Sequence, residues 1–495
     1  MKRNAWNAIT SLMLQVITII CGFVLPRMVL SAYGSQVNGL VQSISQFLGY
    51  IMLAELGMGA VLQAALYGPL AKQDWPQVSR VMKSGRRFYH GVAGALAVYA
   101  LALTVIYPRF VAGQFSRGEV VALIAIMTAA PLAGYWFDAG SQLLMIADQR
   151  GSVVYLTTLV NTVLTTAACA LVMRLGGSVQ LMRLTMGAFG VLLPIVFLMQ
   201  VKRRYPLDSR VAIEGEPIAQ KWNGIGQHVA FVVLENTDMA VLTLLSTLQS
   251  VSVYAVYHMV VYGVKKLFTA VTHSLQAKLG ALWVSGDGDA LNRYFNRLEG
   301  AVHYAAVLLF GCMGVLIVPF VAVYTRGVTD ADYIQPLFAA LMVAAHGVHC
   351  LREPYDKLIL AAGHFKQTQG NYIAAAAMNL VVSVAAVRRY GLAGVAVGTL
   401  LSMAFQVVWM AIYDSRVLLR RSPAVLAKRL AVDAVTALAV VLIAGRVPEL
   451  GAGYAGWIAR AAIVTLIGTA VTALSALLFY REDARALLGW LRGRL

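Results

Sequence analysis

Apolar stretches of about twenty residues recur along almost the whole chain, and that is the length an α-helix needs to cross the hydrocarbon core of a bilayer. Measured by that length, about fourteen spans follow one another. Six fall at about 8–32, 37–63, 88–107, 119–146, 152–173 and 181–201. Six more fall at about 226–248, 252–276, 300–324, 333–352, 370–387 and 391–413, and a final pair at about 428–446 and 455–480. Backbone polar groups have no water to bond inside a bilayer, so such spans must satisfy themselves as helices. The fold class that follows is an all-α polytopic membrane protein. Composition agrees: 59% of the residues are hydrophobic and 13% charged, where soluble domains hold roughly 45–50% and about 25%. A soluble enzyme, a nucleic-acid-binding protein and a disordered scaffold are excluded. The first span is too long for a cleavable signal peptide and lacks a small-residue cleavage site.

The formal charge of +18 sits between the apolar runs, where it reads as topology and contact with anionic lipid. Lys2 and Arg3 precede the first span; Lys72, Arg80, Lys83, Arg86 and Arg87 follow the second. Lys202, Arg203, Arg204, Arg210 and Lys221 follow the sixth, and Arg416, Arg420, Arg421, Lys428 and Arg429 follow the twelfth. The tail adds Arg481, Arg485, Arg492 and Arg494. Connections on the other side hold Arg109, Arg117, Arg174, Arg183, Arg326, Arg388, Arg389 and Arg446. An even number of spans with this bias predicts both termini in the cytoplasm. The segments 74–87 and 481–495 are expected as amphipathic helices lying in the interface. Cys21, Cys169, Cys312 and Cys350 lie in or beside apolar runs with no CxxC spacing, so neither a disulfide framework nor a zinc site is indicated.

The longest cytoplasmic connection, 206–225, separates two sets of six spans. The expected organisation is an N-terminal lobe (1–205), this linker, a second lobe (226–415), and two additional helices with an amphipathic tail (416–495). A weak repeat supports it. Trp6-Asn7 before the first span recurs as Trp222-Asn223 before the seventh, and Asn38-Gly39-Leu40 and Tyr254-Ala255-Val256 follow them at the same distance. That register describes two parallel halves related about the membrane normal. No connection is long enough to form an extra soluble domain, which favours transport over catalysis.

Ionisable and polar residues at membrane depth are functional candidates by default. Asn38, Gln42 and Gln46 recur at helical spacing and form one stripe, suited to sugar hydroxyls or to hydrogen bonding between helices. Glu55, further along the same span, is a candidate gate. Asp138 stands near Tyr135 and Trp136, whose rings can stack on sugars or simply pack. Glu235 and Asp238 share a helical face and suit coupling to Na⁺ or a proton, or a structural pair with a basic partner. Lys265 and Lys266 can meet a diphosphate or snorkel to the interface. His346, His349 and Glu353 imitate a metal site without a supporting ligand cluster, and Arg352 beside them is a substrate-facing or gating candidate. Arg27 follows Pro26 inside the first span. A guanidinium there can grip a phosphate, pair with a gating acid or snorkel. No catalytic triad, P-loop or dinucleotide-binding pattern is present, so no enzyme activity is expected.

The stretch from Phe23 to Asp74 also carries a resemblance. Arg27, Gly34 through Asn38-Gly39-Leu40, Glu55-Leu56-Gly57 and Leu66-Tyr67-Gly68-Pro69-Leu70-Ala71 resemble the bacterial Wzx-type polysaccharide flippases. These belong to the multidrug/oligosaccharidyl-lipid/polysaccharide exporter superfamily. The resemblance implies two six-helix lobes in a V-shaped bundle and alternating access around a cationic cavity. It implies an undecaprenyl-diphosphate-linked glycan as substrate, carried across the bacterial inner membrane for O-antigen or exopolysaccharide synthesis. Membrane lipids, a polysaccharide polymerase and a chain-length regulator are the implied partners, nucleic acid is not, and no cofactor is implied beyond a possible coupling ion, Na⁺ or H⁺. Many such flippases stop at twelve spans, so the last two helices form a lipid-tail groove or pack alone. A drug/cation antiporter of the same superfamily is the main competing reading, and a membrane enzyme of the polysaccharide pathway a lesser one.

Overall fold

The computed structural model describes residues 2–55, 57–111, 113–138, 140–208, 210–212, 225–273 and 275–480. The repeated Trp222-Asn223 and the expected amphipathic tail lie outside the described residues. Every ordered element among the described residues is helical, and the expected spans all fall on helices. Among the described residues, eight helical stretches are long and apolar enough to cross a membrane on length and composition alone.

The chain divides into two compact units, Met1–Asn236 and Thr237–Leu495. In the first, α1 (Lys2–Gly49) carries two spans in one element. Gly34, at φ 81° and ψ 177°, turns the chain between them without a loop, in a conformation that strains any residue with a Cβ. The second span then continues through α2 (Met52–Glu55) and α3 (Met58–Ala71). Helix α4 (Trp75–Ile106) begins at Asp74, whose Oδ1 accepts from the Gln77 amide at 3.0 Å, an N-cap that satisfies one orphan donor of the first turn. Helix α5 (Arg117–Ala133) starts from a reciprocal Ser116–Glu119 capping box. It passes through a π turn at Gly134–Asp138, just beyond Pro131, into α6 (Ser141–Ala147). Helices α7 (Gly151–Arg174) and α8 (Val179–Arg204) complete the bundle.

Residues 74–87, expected to lie at the interface, instead form the start of α4 and continue directly into the third span. Their apolar side is the reason: Val78 and Val81 are fully buried in a core with Met58, Leu62, Leu66, Tyr89 and Phe197. Burial against protein removes more apolar surface from water than half-immersion in headgroups does. Lys83 Nζ also donates to the Val211 carbonyl at 2.8 Å, and Ser79 Oγ accepts from the Asp208 amide at 3.0 Å, tying the segment after Arg204 to α4. Asn7 binds α1 to the start of α7: its amide donates to the Gln149 carbonyl and its oxygen accepts from the Ser152 amide, both at 2.8 Å.

Helix α9 (Ile225–Leu245) contains the boundary between the units. The second unit continues with α10 (Leu248–His273), α11 (Gln276–Ser285), α12 (Gly288–Tyr324) and α13 (Pro336–Ala362). Helix α14 (Phe365–Tyr413) again carries two spans, turned at Gly391. Helices α15 (Ala424–Ala444) and α16 (Tyr454–Phe479) pack on α12. Their contact is a small apolar core of Cys312, Val315, Val440, Ala444 and Val464. The indole of Trp457 adds a bond to the Leu316 carbonyl at 3.1 Å. The close approach of small side chains is how helices associate when lipid competes for the same apolar surface.

Candidate functional site

The first unit encloses a cavity of about 460 Å³ between α1, α5, α7 and α8. Its α1 wall is polar at Asn38, Gln42 and Ser45, spaced to share one helical face. Gln46, the expected continuation of that stripe, does not line the cavity; its amide donates to Asn236 Oδ1 on α9. The facing wall is α7, with Asn161, Thr162, Thr165 and Thr166. The three threonine hydroxyls donate to carbonyls one turn back, at 2.7–2.9 Å, which leaves their oxygens free to accept. Arg183 of α8 contributes a cation to the lining, and Cys21, Leu25, Pro26, Met186 and Gly190 make up apolar parts.

Sequence reasoning missed Arg183 and the α7 wall. Arg183 sits so near the start of α8 that it reads as a loop charge, yet its Nε is buried. The α7 residues do carry a signal, since Asn161 and Thr165 recur at i and i+4 within an apolar run. Arg27 is half-buried beside Pro26 and does not belong to the cavity lining.

A second polar group of the first unit joins Glu55, Tyr135 and Asp138. The Tyr135 hydroxyl donates to Glu55 Oε1, and the Tyr135 ring stacks on Tyr89 with centroids 6.2 Å apart. Asp138 accepts from the Gln142 amide at 3.2 Å and from its side chain, so it closes the first turn of α6. Trp136 stacks on His90 at 4.5 Å.

In the second unit Asp238 is buried and bonded on both oxygens. Oδ2 accepts from Tyr254 at 2.9 Å and Thr399 at 2.6 Å, and Oδ1 accepts from Asn379 at 3.3 Å. Asn379 also donates to Thr399 at 3.1 Å. Helices α9, α10 and α14 thus meet at one carboxylate, which accepts from two hydroxyls and an amide nitrogen. Glu235 is half-buried on the same helix and belongs to the first unit.

The lysine pair separates. Lys265 is buried, with its Nζ 5.7 Å from the centre of the Tyr262 ring, and Lys266 is exposed. Tyr262 continues a ladder of rings through His258 and Tyr254, at 5.3 and 5.5 Å. Arg352 lies in the interior, where Nη1 donates to Gln406 at 2.8 Å. Next to it Glu353 accepts from Thr272 at 3.0 Å and pairs with Lys357 at 3.3 Å. Asp356 accepts from Lys357 at 3.0 Å and from Tyr372. His349 turns Nδ1 toward the Met403 sulfur at 3.2 Å, and His346 Nδ1 lies 3.0 Å from the Met342 carbonyl. These side chains meet one another in a packed interior.

No family model and no curated protein matches the sequence. Solved structures do match in fold. The lipid II flippase MurJ, in an inward closed conformation, superposes with a TM-score of 0.69 at 13% identity, covering 96% of this chain and 99% of that one. An inward-facing multidrug resistance MATE transporter gives 0.59 at 13% identity, covering 83% and 98%. A Vibrio cholerae MATE transporter gives 0.57 at 12% identity, covering 86% and 99%. The inward-facing MATE transporter is a member of the MOP superfamily, and this chain has the helical membrane-transporter fold that these structures share.

Proposed function

We propose that this protein is a flippase for undecaprenyl-diphosphate-linked oligosaccharide, working by alternating access between the cytoplasmic and periplasmic leaflets of the inner membrane. The observation that carries the reading is the lining of the first unit's cavity. It offers amides, hydroxyls and one guanidinium, and no lining residue is acidic or aromatic. Sugar hydroxyls are met by such neutral donors and acceptors. A lipophilic cation needs a carboxylate or a ring face, and Arg183 repels it. The drug/cation antiporter is therefore the weaker reading, although MATE transporters share the fold. The similarity to a lipid II flippase supports a lipid-linked glycan as the cargo class. In this reading both termini lie in the cytoplasm, a polymerase and a chain-length regulator act on the delivered units, and Asp238 holds the coupling cation.

Deleting the gene tests the proposal. The expected result is loss of surface polysaccharide with lipid-linked units accumulating on the cytoplasmic face. Normal polysaccharide at the surface of the deleted strain, in a background with no second flippase, overturns it.

A further inference from the structure

The geometry points to a carboxylated sugar, a uronic-acid type of residue within the glycan, as the ligand of the first unit's cavity, with Arg183 as its anion anchor. The inference rests on the flippase reading and deepens it by naming a feature of the substrate.

Arg183 is a cation whose needs the described residues leave unmet. Nη1 donates to the Met186 sulfur at 3.3 Å, a weak acceptor. Nε is buried and finds no acceptor among the described residues. No carboxylate forms an ion pair with it among them either. Six acids of the same unit are engaged elsewhere: Glu55 with Tyr135, Asp74 with the Gln77 amide, Glu119 with Ser116, Asp138 with Gln142, Asp148 with Arg150 and Tyr205, and Asp208 with the Arg210 amide. A guanidinium taken from water and left unpaired is costly. An oxyanion that enters the cavity relieves that cost, and it is held through the planar fork of the guanidinium.

The remaining lining selects among oxyanions. A lipid diphosphate carries charge on each phosphate and calls for several cations, whereas Arg183 is the single cation of this lining. One guanidinium balances one carboxylate. Around it Gln42, Ser45, Asn161 and Thr165 supply donors and acceptors suited to the hydroxyls of a ring. The volume of about 460 Å³ falls among sites that hold a small ligand, enough for one or two sugar units and far too little for a lipid-linked oligosaccharide. The cavity therefore takes part of the glycan.

Cys21 supplies a reporter, since it lines the cavity while the other three cysteines are buried. The experiment follows the rate at which a small maleimide labels Cys21 in the purified full-length protein, with methyl glucuronide, methyl glucoside, inorganic pyrophosphate or a quaternary ammonium dye added. Methyl glucuronide is expected to slow labelling at concentrations at least tenfold lower than methyl glucoside, with pyrophosphate ineffective. Arg183→Gln is expected to abolish that tenfold preference while glucoside protection persists, and Arg183→Lys to retain part of it. The wild-type comparison alone decides the matter if Arg183→Gln does not fold. Equal protection by glucoside and glucuronide, or protection by pyrophosphate alone, overturns the carboxylate assignment and leaves the flippase reading standing. Protection by the dye alone overturns both.

Discussion

In the first unit, polar side chains of α1, α7 and α8 face an open cavity; in the second, those of α10, α13 and α14 face one another. Asn38, Gln42, Asn161 and Arg183 border about 460 Å³ of space, whereas Glu353, Asp356 and Lys357 are buried in mutual contact and Arg352 is bonded to Gln406. The same contrast holds where the second unit meets its last helices. Glu299, fully buried on α12, pairs with Arg421 at 2.7 Å and Arg429 at 3.1 Å, and His303 lies 2.5 Å from Asp433. Polar groups that satisfy each other fix a single packing, at the cost of desolvation. Polar groups that border a cavity contribute less to that packing. On the proposed function, recognition of the glycan falls to the first unit and the coupling ion to the second.

Substitutions should separate the units by their effect on stability. The largest effect is expected at Glu299. Glu299→Gln leaves two buried guanidinium groups without their charge partner, and breaking such a pair costs about 3–5 kcal/mol. Thermal unfolding of the purified protein checks this, and a midpoint equal to the wild type's would show that the Glu299 ion pairs do not hold α15. An intermediate effect is expected at Asp238. Asp238→Asn exchanges charge-assisted bonds from Tyr254 and Thr399 for neutral ones, a loss of about 1.5 kcal/mol. Transport by this variant should also lose its dependence on a Na⁺ or proton gradient. Retained dependence would remove Asp238 from coupling and weaken the contrast. The smallest stability effect is expected in the cavity. Gln42→Ala and Asn161→Ala should each change stability by no more than about 0.5 kcal/mol, while export of polysaccharide falls severalfold at matched expression. A large loss of stability instead would make these residues structural, like those of α13.

How much of this could be read from the sequence follows from what each feature leaves in the residue order. Spans are legible because twenty apolar residues in a row have few other uses. The breaks near Gly34 and Gly391 follow from the same length, but that a single glycine turns the chain there without a loop does not, because φ is not written in composition. Asn38 and Gln42 announce themselves by their spacing, but nothing in that spacing shows where the stripe leaves the cavity, and Gln46 is bonded to Asn236 instead. The interior of α13 is dense with charge, so it reads as a poor span although most of the helix is buried. Arg183 is the instructive failure. Basic residues near the end of an apolar run ordinarily mark a loop, and only the packing of α8 against α5 and α7 shows that this one is enclosed. The segment 74–87 fails in the opposite direction: its amphipathic pattern is real, but the apolar side meets Leu62 and Leu66, not lipid.

The central claim, that a glycan-binding cavity in the first unit serves the movement of lipid-linked sugar, is tested most directly by reconstitution. Purified protein in vesicles is given a fluorescent polyprenyl-diphosphate-linked oligosaccharide in the inner leaflet, and its arrival outside is read with a membrane-impermeant enzyme that cleaves the glycan. The account predicts protein-dependent appearance of the glycan outside, reduced severalfold by Asn161→Ala, with no gradient-driven movement of a cationic dye in the same vesicles. Dye movement without glycan movement would contradict it.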